Sequence, residues 1–241
     1  MPASIFRDRK GIIPACDVET LDSLARLVRM TCDLPFIQGY KLGMQLALKF
    51  GVGQCVKTVR EHSRLPVIYD HQKFGTDIPE ICGGPILGIL RDAGVHAIIV
   101  FPQSGPRTLE ATVEGCNRRG LVPIVGGEMT HPAFLVNDGG YLADEAPARI
   151  YEHAARLGVE HFVVPGTRPT NIRRYRDILA GLLPEPRFLF PGVGKAQGGD
   201  IAEAFGSVEP FPAYAIVGRG IYGQADHAKA AQALWRSVAS G

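Results

Sequence analysis

The sequence predicts a (β/α)8 barrel, the TIM-barrel fold, as a single domain over residues 1–241. Eight short apolar segments alternate along the chain with longer segments, most of them amphipathic. The length of 241 residues is close to the ~250 that such a barrel takes. No linker or low-complexity stretch divides the chain, so one domain accommodates the whole pattern.

The eight apolar segments are predicted to be buried parallel strands, because they are short and rich in β-branched or aromatic residues. In chain order they are Gly11–Cys16, Phe36–Leu42, Leu65–Tyr69, His96–Phe101, Val122–Val125, His161–Val164, Phe188–Phe190 and Tyr214–Val217. An open doubly wound sheet is the alternative arrangement of such strands. It is disfavoured because no Gly-x-Gly-x-x-Gly follows the first strand.

Helices are predicted in six of the remaining segments, where apolar residues recur at helical spacing. They are Leu21–Met30, Ile81–Ala93, Thr108–Arg119, Ala146–Leu157, Asn171–Leu182 and His227–Val238. Gly94, Gly120 and Gly158 follow three of these helices, at the position where a C-terminal cap belongs. The longest irregular segment, Glu128–Glu145, is long for an idle loop in a compact domain, so it is predicted to be functional.

Composition narrows the possible partners and the cellular compartment. The 26 Lys and Arg and 24 Asp and Glu give a net charge of +2, so neither nucleic acid nor a membrane is an expected partner. No run reaches the ~18 apolar residues of a membrane helix, and residues 1–10 lack the apolar core of a signal peptide. The five cysteines are scattered, without a Cys-x-x-Cys pair, which predicts reduced thiols in a cytoplasmic protein.

Charged residues follow the first three predicted strands. Asp17 follows the first and Lys41 lies near the end of the second, while Asp70, Lys73 and Asp77 follow the third. The carboxyl ends of barrel strands face one shared mouth, so these five side chains are expected to converge there. Buried charges are unfavourable unless they are paired. Convergence from separate strands therefore favours a functional pocket over an isolated salt bridge at one strand end.

Two glycine-rich stretches follow the last two strands. Pro191–Asp200 follows the seventh strand, and Gly218-Arg219-Gly220 follows the eighth. In barrels, the loops at these two places often hold phosphate. Glycines let backbone N–H groups approach an anion, and an arginine can donate two parallel hydrogen bonds to phosphate oxygens. The pair of loops therefore predicts a phosphate monoester as ligand.

Seven stretches at strand ends carry a resemblance to a known family. They are Ala15-Cys16-Asp17, Tyr40-Lys41-Leu42-Gly43, Asp70 to Pro79, Glu128-Met129-Thr130-His131-Pro132, Pro165-Gly166-Thr167-Arg168-Pro169, Pro191 to Asp200 and Ile216 to Tyr222. In their order and placement over nearly the whole chain they resemble the orotidine 5'-monophosphate decarboxylase family, most closely its archaeal-type branch.

The resemblance implies conversion of orotidine monophosphate to uridine monophosphate in pyrimidine biosynthesis, without a cofactor or a metal. It also implies a homodimer with sites at the interface between the two chains. Lys41, Asp70, Lys73 and Asp77, the last donated by the partner chain, would form a catalytic network of alternating charge. Lys73 would be the acid that protonates C6 of the pyrimidine.

The resemblance also assigns the residues that hold the substrate. Asp17 and Lys41 would bind the ribose hydroxyls, and Thr130 would bond the pyrimidine amide from a position where the family usually has Ser. The remaining predicted substrate-binding residues surround the phosphate and are Pro191, Gln197, Gly198, Gly199, Gly218 and Arg219. Gln197 and Arg219 would grip the phosphate together with backbone N–H groups near Gly199 and Gly218.

The central motif departs from the family pattern in its spacing. The family has Asp-x-Lys-x-x-Asp, whereas Asp70, Lys73 and Asp77 here give Asp-x-x-Lys-x-x-x-Asp. On a strand, a shift of one residue would turn Lys73 to the opposite face. On an irregular loop, a bulge can absorb it, with Gly75 helping. Ile81 and Cys82 also stand where the family tends to carry a Thr that reaches the partner's ribose.

Two alternatives to this function remain open. One is a metal-dependent relative of the same suprafamily, such as a hexulose phosphate synthase or a keto-gulonate phosphate decarboxylase. The seven histidines show no metal-ligand spacing, so no metal site is expected. The other is a non-catalytic binder of a nucleotide phosphate, in which the changed motif spacing has removed the catalytic geometry.

Overall fold

The computed structural model of the protein describes residues 4–70, 75–194 and 198–239. Eight parallel strands form one sheet in the order β1-β8-β7-β6-β5-β4-β3-β2. They are β1 Lys10–Pro14, β2 Tyr40–Gly43, β3 Val67–Asp70, β4 Ala97–Val100, β5 Val122–Gly126, β6 His161–Val163, β7 Arg187–Phe190 and β8 Ala213–Val217. The bridges Ile12–Ile37 and Ala15–Lys41 join the two ends of the sheet. The predicted barrel and all eight strands are therefore confirmed.

The helices lie between and after the strands. They are α1 Leu21–Thr31, α2 Met44–Phe50, α3 Val52–Arg60, α4 Pro79–Cys82, α5 Pro85–Asp92, α6 Pro106–Arg119, α7 Ala146–Arg156, α8 Pro169–Ala180, α9 Ile201–Gly206, α10 Arg219–Tyr222 and α11 His227–Ala239. Gly120 directly follows α6, and Gly94 and Gly158 lie two residues after the ends of α5 and α7; their φ angles are 65°, 88° and 83° respectively. Their predicted place at helix ends is confirmed.

The prediction of one helix over Ile81–Ala93 was wrong, because the segment contains two helices, α4 and α5. Gly83 separates them and packs so closely on α6 that a Cβ there would lie 2.4 Å from the carbonyl oxygen of Ala111. Pro85 then begins α5, where its missing N–H leaves no donor unsatisfied. Helices α2, α3, α9 and α10 were not predicted from the sequence. Helix α2 buries only Leu46, so its sequence has no buried apolar stripe from which a helix could be predicted.

Two apolar layers hold the barrel together. Alternate strand residues point inward and form an interior cluster that includes Ile13, Ile68, Ile99, Ile124 and Leu189. Their neighbours along each strand point outward and pack under the helices in the larger cluster. This alternation follows from the two-residue repeat of a strand, and it decides which strand residues can reach the mouth.

The interior is closed at the amino ends of the strands by the N-terminal segment. Phe6 packs on Tyr214 with ring centroids 4.2 Å apart and meets His161 edge-on at 5.8 Å. His161 is buried, and its Nε2 has no hydrogen-bond partner among the described residues. Burial, and secondly the positive charge of Arg187, lower the pKa of His161 to about 3. This imidazole is therefore neutral at physiological pH.

Candidate active site

Strand alternation places three of the predicted charged residues inside the mouth. On β2, Tyr40 and Leu42 belong to the outer apolar layer, so Lys41 between them points inward. On β3, Ile68 lies in the interior cluster, and Asp70, two residues later, shares its face. Asp17 follows β1 with the same parity as the inward Ala15. The three side chains therefore converge from neighbouring strands.

Lys41 is the centre of this charged group. Its Nζ lies 2.8 Å from Asp70 Oδ2 and 3.5 Å from Asp17 Oδ1. The side chains of Lys41 and Asp70 are each 10% exposed, whereas that of Asp17 is 41% exposed. Burial alone would lower the pKa of Lys41, but the Asp70 and Asp17 carboxylates outweigh it and raise that pKa. Lys41 is therefore a fixed positive charge.

Gly43, at the end of β2, is a glycine because Asp17 lies directly above it. A Cβ at this position would lie 2.5 Å from Asp17 Oδ1. Any side chain there would displace the carboxylate from its place beside Lys41. The Tyr40-Lys41-Leu42-Gly43 stretch thus supplies both the ammonium group and the space for its outer partner.

Of the other two residues of the predicted network, the structure describes only Asp77. Lys73 lies outside the described residues. Asp77 is exposed and stands apart from the Lys41 group, and its Oδ1 accepts the backbone N–H of Ile78 at 2.7 Å. Its carbonyl oxygen accepts the hydroxyl of Thr108 at 3.0 Å. Oδ1 of Asp70 is buried and has no hydrogen-bond partner in the described part of the chain.

A cavity at the carboxyl ends of the strands joins the charged residues to an apolar wall. It is lined by Asp17, Lys41, Asp70, Thr130, Pro191, Gly192 and Gly218, with Ala15, Ile99, Phe101, Glu128, Met129, Val163 and Ile216. Three residues of the apolar wall, Ile99, Val163 and Ile216, were not predicted from the sequence. Each is the last inward-facing residue of its strand, so counting alternate positions would have found them. One side of the cavity is suited to a charged or hydroxylated group, and the other to a planar apolar one.

The segment after β5 supplies Thr130, and its first residue is anchored in the core. The Glu128 side chain is fully buried and accepts hydrogen bonds from Arg168 at 2.9 Å, from Asn171 at 3.0 Å and from the Tyr175 hydroxyl. Burial, and then the hydrogen bond to Glu128, raise the pKa of Tyr175, so it remains a donor. The carboxylate has a donor on each side, as a buried charge requires.

The loop after β7 packs against the loops after β5 and β6. Gly192, with φ of 81°, leaves space for the methyl groups of Thr130 and Thr167, which would lie 3.1 and 3.2 Å from a Cβ there. Gly166 N donates to the carbonyl oxygen of Pro191 at 3.1 Å. Thr130 therefore sits directly beside the segment that was predicted to hold phosphate.

The backbone donors of this loop are arranged otherwise than predicted. The N–H of Gly199 donates to Gly192 O at 3.1 Å, and that of Gly198 donates to Gly194 O at 3.2 Å. In this conformation neither N–H is free to bind an anion, because the loop folds on itself. Gln197 lies outside the described residues. A phosphate bound through Gly198 and Gly199 would first have to displace these two internal bonds.

The loop after β8 lies on the opposite side of the same opening. A Cβ on Gly218 would lie 3.3 Å from Tyr222, 3.7 Å from Ala15 and 3.8 Å from Asp17 Oδ2, so the backbone here passes close to the charged group. Arg219 begins the short helix α10, and its side chain is exposed. It makes no hydrogen bond or ion pair within the described ranges, and its guanidinium is therefore available to a ligand.

The described residues contain neither a candidate metal cluster nor a candidate membrane-spanning helix. Over residues 4–70, 75–194 and 198–239, no cluster of three or more His, Cys, Asp and Glu side chains has a geometry that could hold a metal ion. Across the same ranges, no helix combines the length and apolar character needed to cross a membrane.

Two known proteins that match more than three quarters of this chain carry the same name. The orotidine 5'-phosphate decarboxylase of Methanosarcina barkeri is 31% identical over 214 residues, which cover 88% of this chain and 86% of that protein. The enzyme of the same name from Methanosarcina mazei is 31% identical over 188 residues, 78% of this chain and 77% of that one.

Solved structures extend the likeness to three dimensions. The orotidine 5'-monophosphate decarboxylase of Methanocaldococcus jannaschii, complexed with the inhibitor BMP, superposes with a TM-score of 0.81 at 26% identity, over 95% of this chain and 98% of that one. The model of the family named Orotidine 5'-phosphate decarboxylase / HUMPS matches residues 10–234. The match spans every strand of the barrel, and the chain belongs to the orotidine 5'-phosphate decarboxylase / HUMPS family.

Proposed function

We propose that this protein decarboxylates orotidine 5'-monophosphate to uridine 5'-monophosphate in pyrimidine biosynthesis. The observation that carries the proposal is the group of Lys41, Asp70 and Asp17 in the mouth, between an apolar wall and the two glycine-rich loops. The apolar wall would take the pyrimidine, the charged group the ribose hydroxyls, and the glycine-rich loops the phosphate. The relatives named orotidine 5'-phosphate decarboxylase support the same reading.

The chemistry needs a positive charge and a proton at one carbon. Loss of CO2 leaves an electron pair on C6 of the pyrimidine, and a neighbouring ammonium both stabilises that charge and supplies the proton. Lys73 is the proposed donor, by its place in the motif. Lys41 holds Asp70 in position and, with Asp17, takes the ribose hydroxyls. Asp70 keeps the neighbouring ammonium groups charged, because an opposite charge favours the protonated form.

A homodimer in the cytoplasm, with Asp77 donated to the partner's site, is part of the proposal. Asp77 is exposed and stands outside the Lys41 group of its own chain, as a donated residue would. Ile78 and Ile81, beside it, are 57% and 46% exposed and would offer an apolar surface to the partner chain. The eight strands in one sheet support the prediction of a single barrel domain.

The direct test follows pyrimidine absorbance while the protein is incubated with orotidine monophosphate. Turnover that survives exhaustive chelation supports the metal-free reaction, whereas loss of turnover with EDTA and its return with Mg²⁺ would favour the metal-dependent relative. Tight uridine monophosphate binding without any absorbance change would favour the non-catalytic binder.

Arg219→Ala is expected to weaken substrate binding and to slow turnover. The exposed guanidinium is the proposed partner of the phosphate, and a hydrogen bond to a charged group contributes about 1.5–3 kcal/mol, or roughly 10- to 150-fold. Phosphate binding energy is also used to close the mouth over the reacting carbon. Steady-state kinetics should show a higher KM and a lower kcat. A normal kcat at saturating substrate would contradict the closure role.

Gly199→Ala is expected to weaken binding of phosphate monoesters by about tenfold. A Cβ there would lie 2.7 Å from Gly166 O and 2.8 Å from Gly192 O, both backbone atoms that cannot rotate away. The loop must shift, which costs on the order of 1–3 kcal/mol. Gly206→Ala is the matched control, because nothing lies within 4 Å of its Cβ position. Equal uridine monophosphate affinities for the two variants, by calorimetry, would contradict the prediction.

A further inference from the structure

One guanidinium nitrogen connects both ends of the segment that carries Thr130. Nη1 of Arg168 donates to Glu128 Oε1 at 2.9 Å and to Asp138 Oδ2 at 2.8 Å. Glu128 is the anchored residue after β5, and Asp138 ends the short 3-10 turn Val136–Asp138. Arg168 itself stands at the N-terminal end of α8. The segment between the two carboxylates is therefore tied at its start and at its tip by the same side chain.

The two ion pairs differ in burial, and so in what they do. The Glu128 side chain is completely buried, with further donors from Asn171 and Tyr175, so its removal would disturb the core. Asp138 is 41% exposed and Arg168 27% exposed. Exposed ion pairs add little to stability. The outer pair can therefore be removed while the fold remains, and any effect on the site becomes visible by itself.

The segment between Glu128 and Asp138 also contains a strained backbone position, at Ala133. Ala133 has φ of 56°, the left-handed region that residues with a Cβ avoid. Strained backbone of this kind persists only where its surroundings hold it. Phe134 and Leu135, both buried, hold one side of it, and Asp138 follows five residues after Ala133. Thr130 lies three residues before Ala133, so relaxation of the strain would move it.

Thr130 has little freedom to move without consequence. It lines the cavity, and its methyl carbon lies 3.1 Å from the position that a Cβ on Gly192 would take. A small displacement would either separate its hydroxyl from a bound base or press on the loop after β7. Hydroxyl hydrogen bonds weaken steeply with distance and angle.

We propose that Asp138 is a positioning residue: through Arg168 it holds residues 129–137 so that the Thr130 hydroxyl meets the pyrimidine of the substrate. The inference rests on the proposed function, which supplies the pyrimidine nucleotide. Asp138 touches no substrate itself. Its carboxylate fixes the position of the Thr130 hydroxyl at the other end of the segment. Asp138 therefore affects recognition of the base but not of the phosphate.

The experiment compares two ligands on Asp138→Asn. Uridine monophosphate carries the base, whereas ribose 5-phosphate lacks it and cannot contact Thr130 through a pyrimidine. We expect the affinity for uridine monophosphate, and kcat/KM for orotidine monophosphate, to fall about fivefold, the loss of one ordinary hydrogen bond. The affinity for ribose 5-phosphate should stay as in the wild type. Asp138→Glu restores a carboxylate and should recover at least half of the loss.

Glu145→Gln is the matched control, because Glu145 is an exposed acid of the same loop without an ion pair in the described ranges. It should match the wild type with both ligands. Unchanged uridine monophosphate affinity in Asp138→Asn, or an equal loss for both ligands, would overturn the inference. If the wild type turns over orotidine monophosphate in those cases, the proposed function stands. A wild type that neither turns it over nor binds uridine monophosphate would remove both.

Discussion

Asp70→Asn is expected to lower kcat for decarboxylation of orotidine monophosphate by about 10³-fold, the effect of removing one preorganised charged group from a catalytic site. Asp70 is the closest partner of Lys41, with 2.8 Å between the charged atoms, and both side chains are almost fully buried. The amide keeps the shape of the carboxylate but not its charge. Lys41 then loses the nearer of the two carboxylates that raise its pKa.

The measurement needs a check that the fold survives. Lys41 retains Asp17, 3.5 Å away, so a buried lysine is not left entirely unpaired. We expect thermal unfolding to shift by only a few degrees and uridine monophosphate still to bind. Glu114→Gln, on the exposed face of α6 where the carboxylate pairs with Arg118, serves as a charge-matched control with wild-type kcat. A kcat for Asp70→Asn within tenfold of the wild type would show that this carboxylate is not part of the catalytic network.

Acid is expected to destabilise the protein through one buried imidazole at the closed end of the barrel. The folded-state pKa of His161 is about 3, against 6.5 for the free side chain. Between these values the unfolded chain binds a proton that the folded one does not. Stability is therefore fully present above about pH 6.5 and falls as the pH drops towards 3, by up to about 5 kcal/mol from this group.

Two variants separate titration from packing. His161→Leu and His161→Gln both remove the imidazole, but only the second keeps a polar group beside Phe6 and Arg187. Urea unfolding at pH 7, 6, 5 and 4 should give both variants a shallower loss of unfolding free energy than the wild type. The exposed carboxylates contribute equally to all three proteins and cancel in the comparison. Parallel stability–pH curves for the three proteins would contradict the assignment.

The strands and the charged mouth were accessible from the sequence because they depend on local pattern. A buried strand of a barrel is short and apolar whatever its neighbours are, and all eight predicted strands are confirmed. The helix α2 was missed for the opposite reason, since it buries one residue and shows no stripe. The break between α4 and α5 depends on how closely Gly83 approaches Ala111 of α6, a contact between segments that no local pattern records.

The sequence by itself determined the barrel, the strand ends that carry Asp17, Lys41 and Asp70, and the two glycine-rich loops. Side-chain alternation and glycine chemistry are properties of a few consecutive residues. Only the tertiary structure decided that Lys41 lies 2.8 Å from Asp70, and that Arg168 links Glu128 to Asp138 across the chain. Ion pairs of this kind join residues about 30 or more positions apart, so the closed barrel alone brings them together.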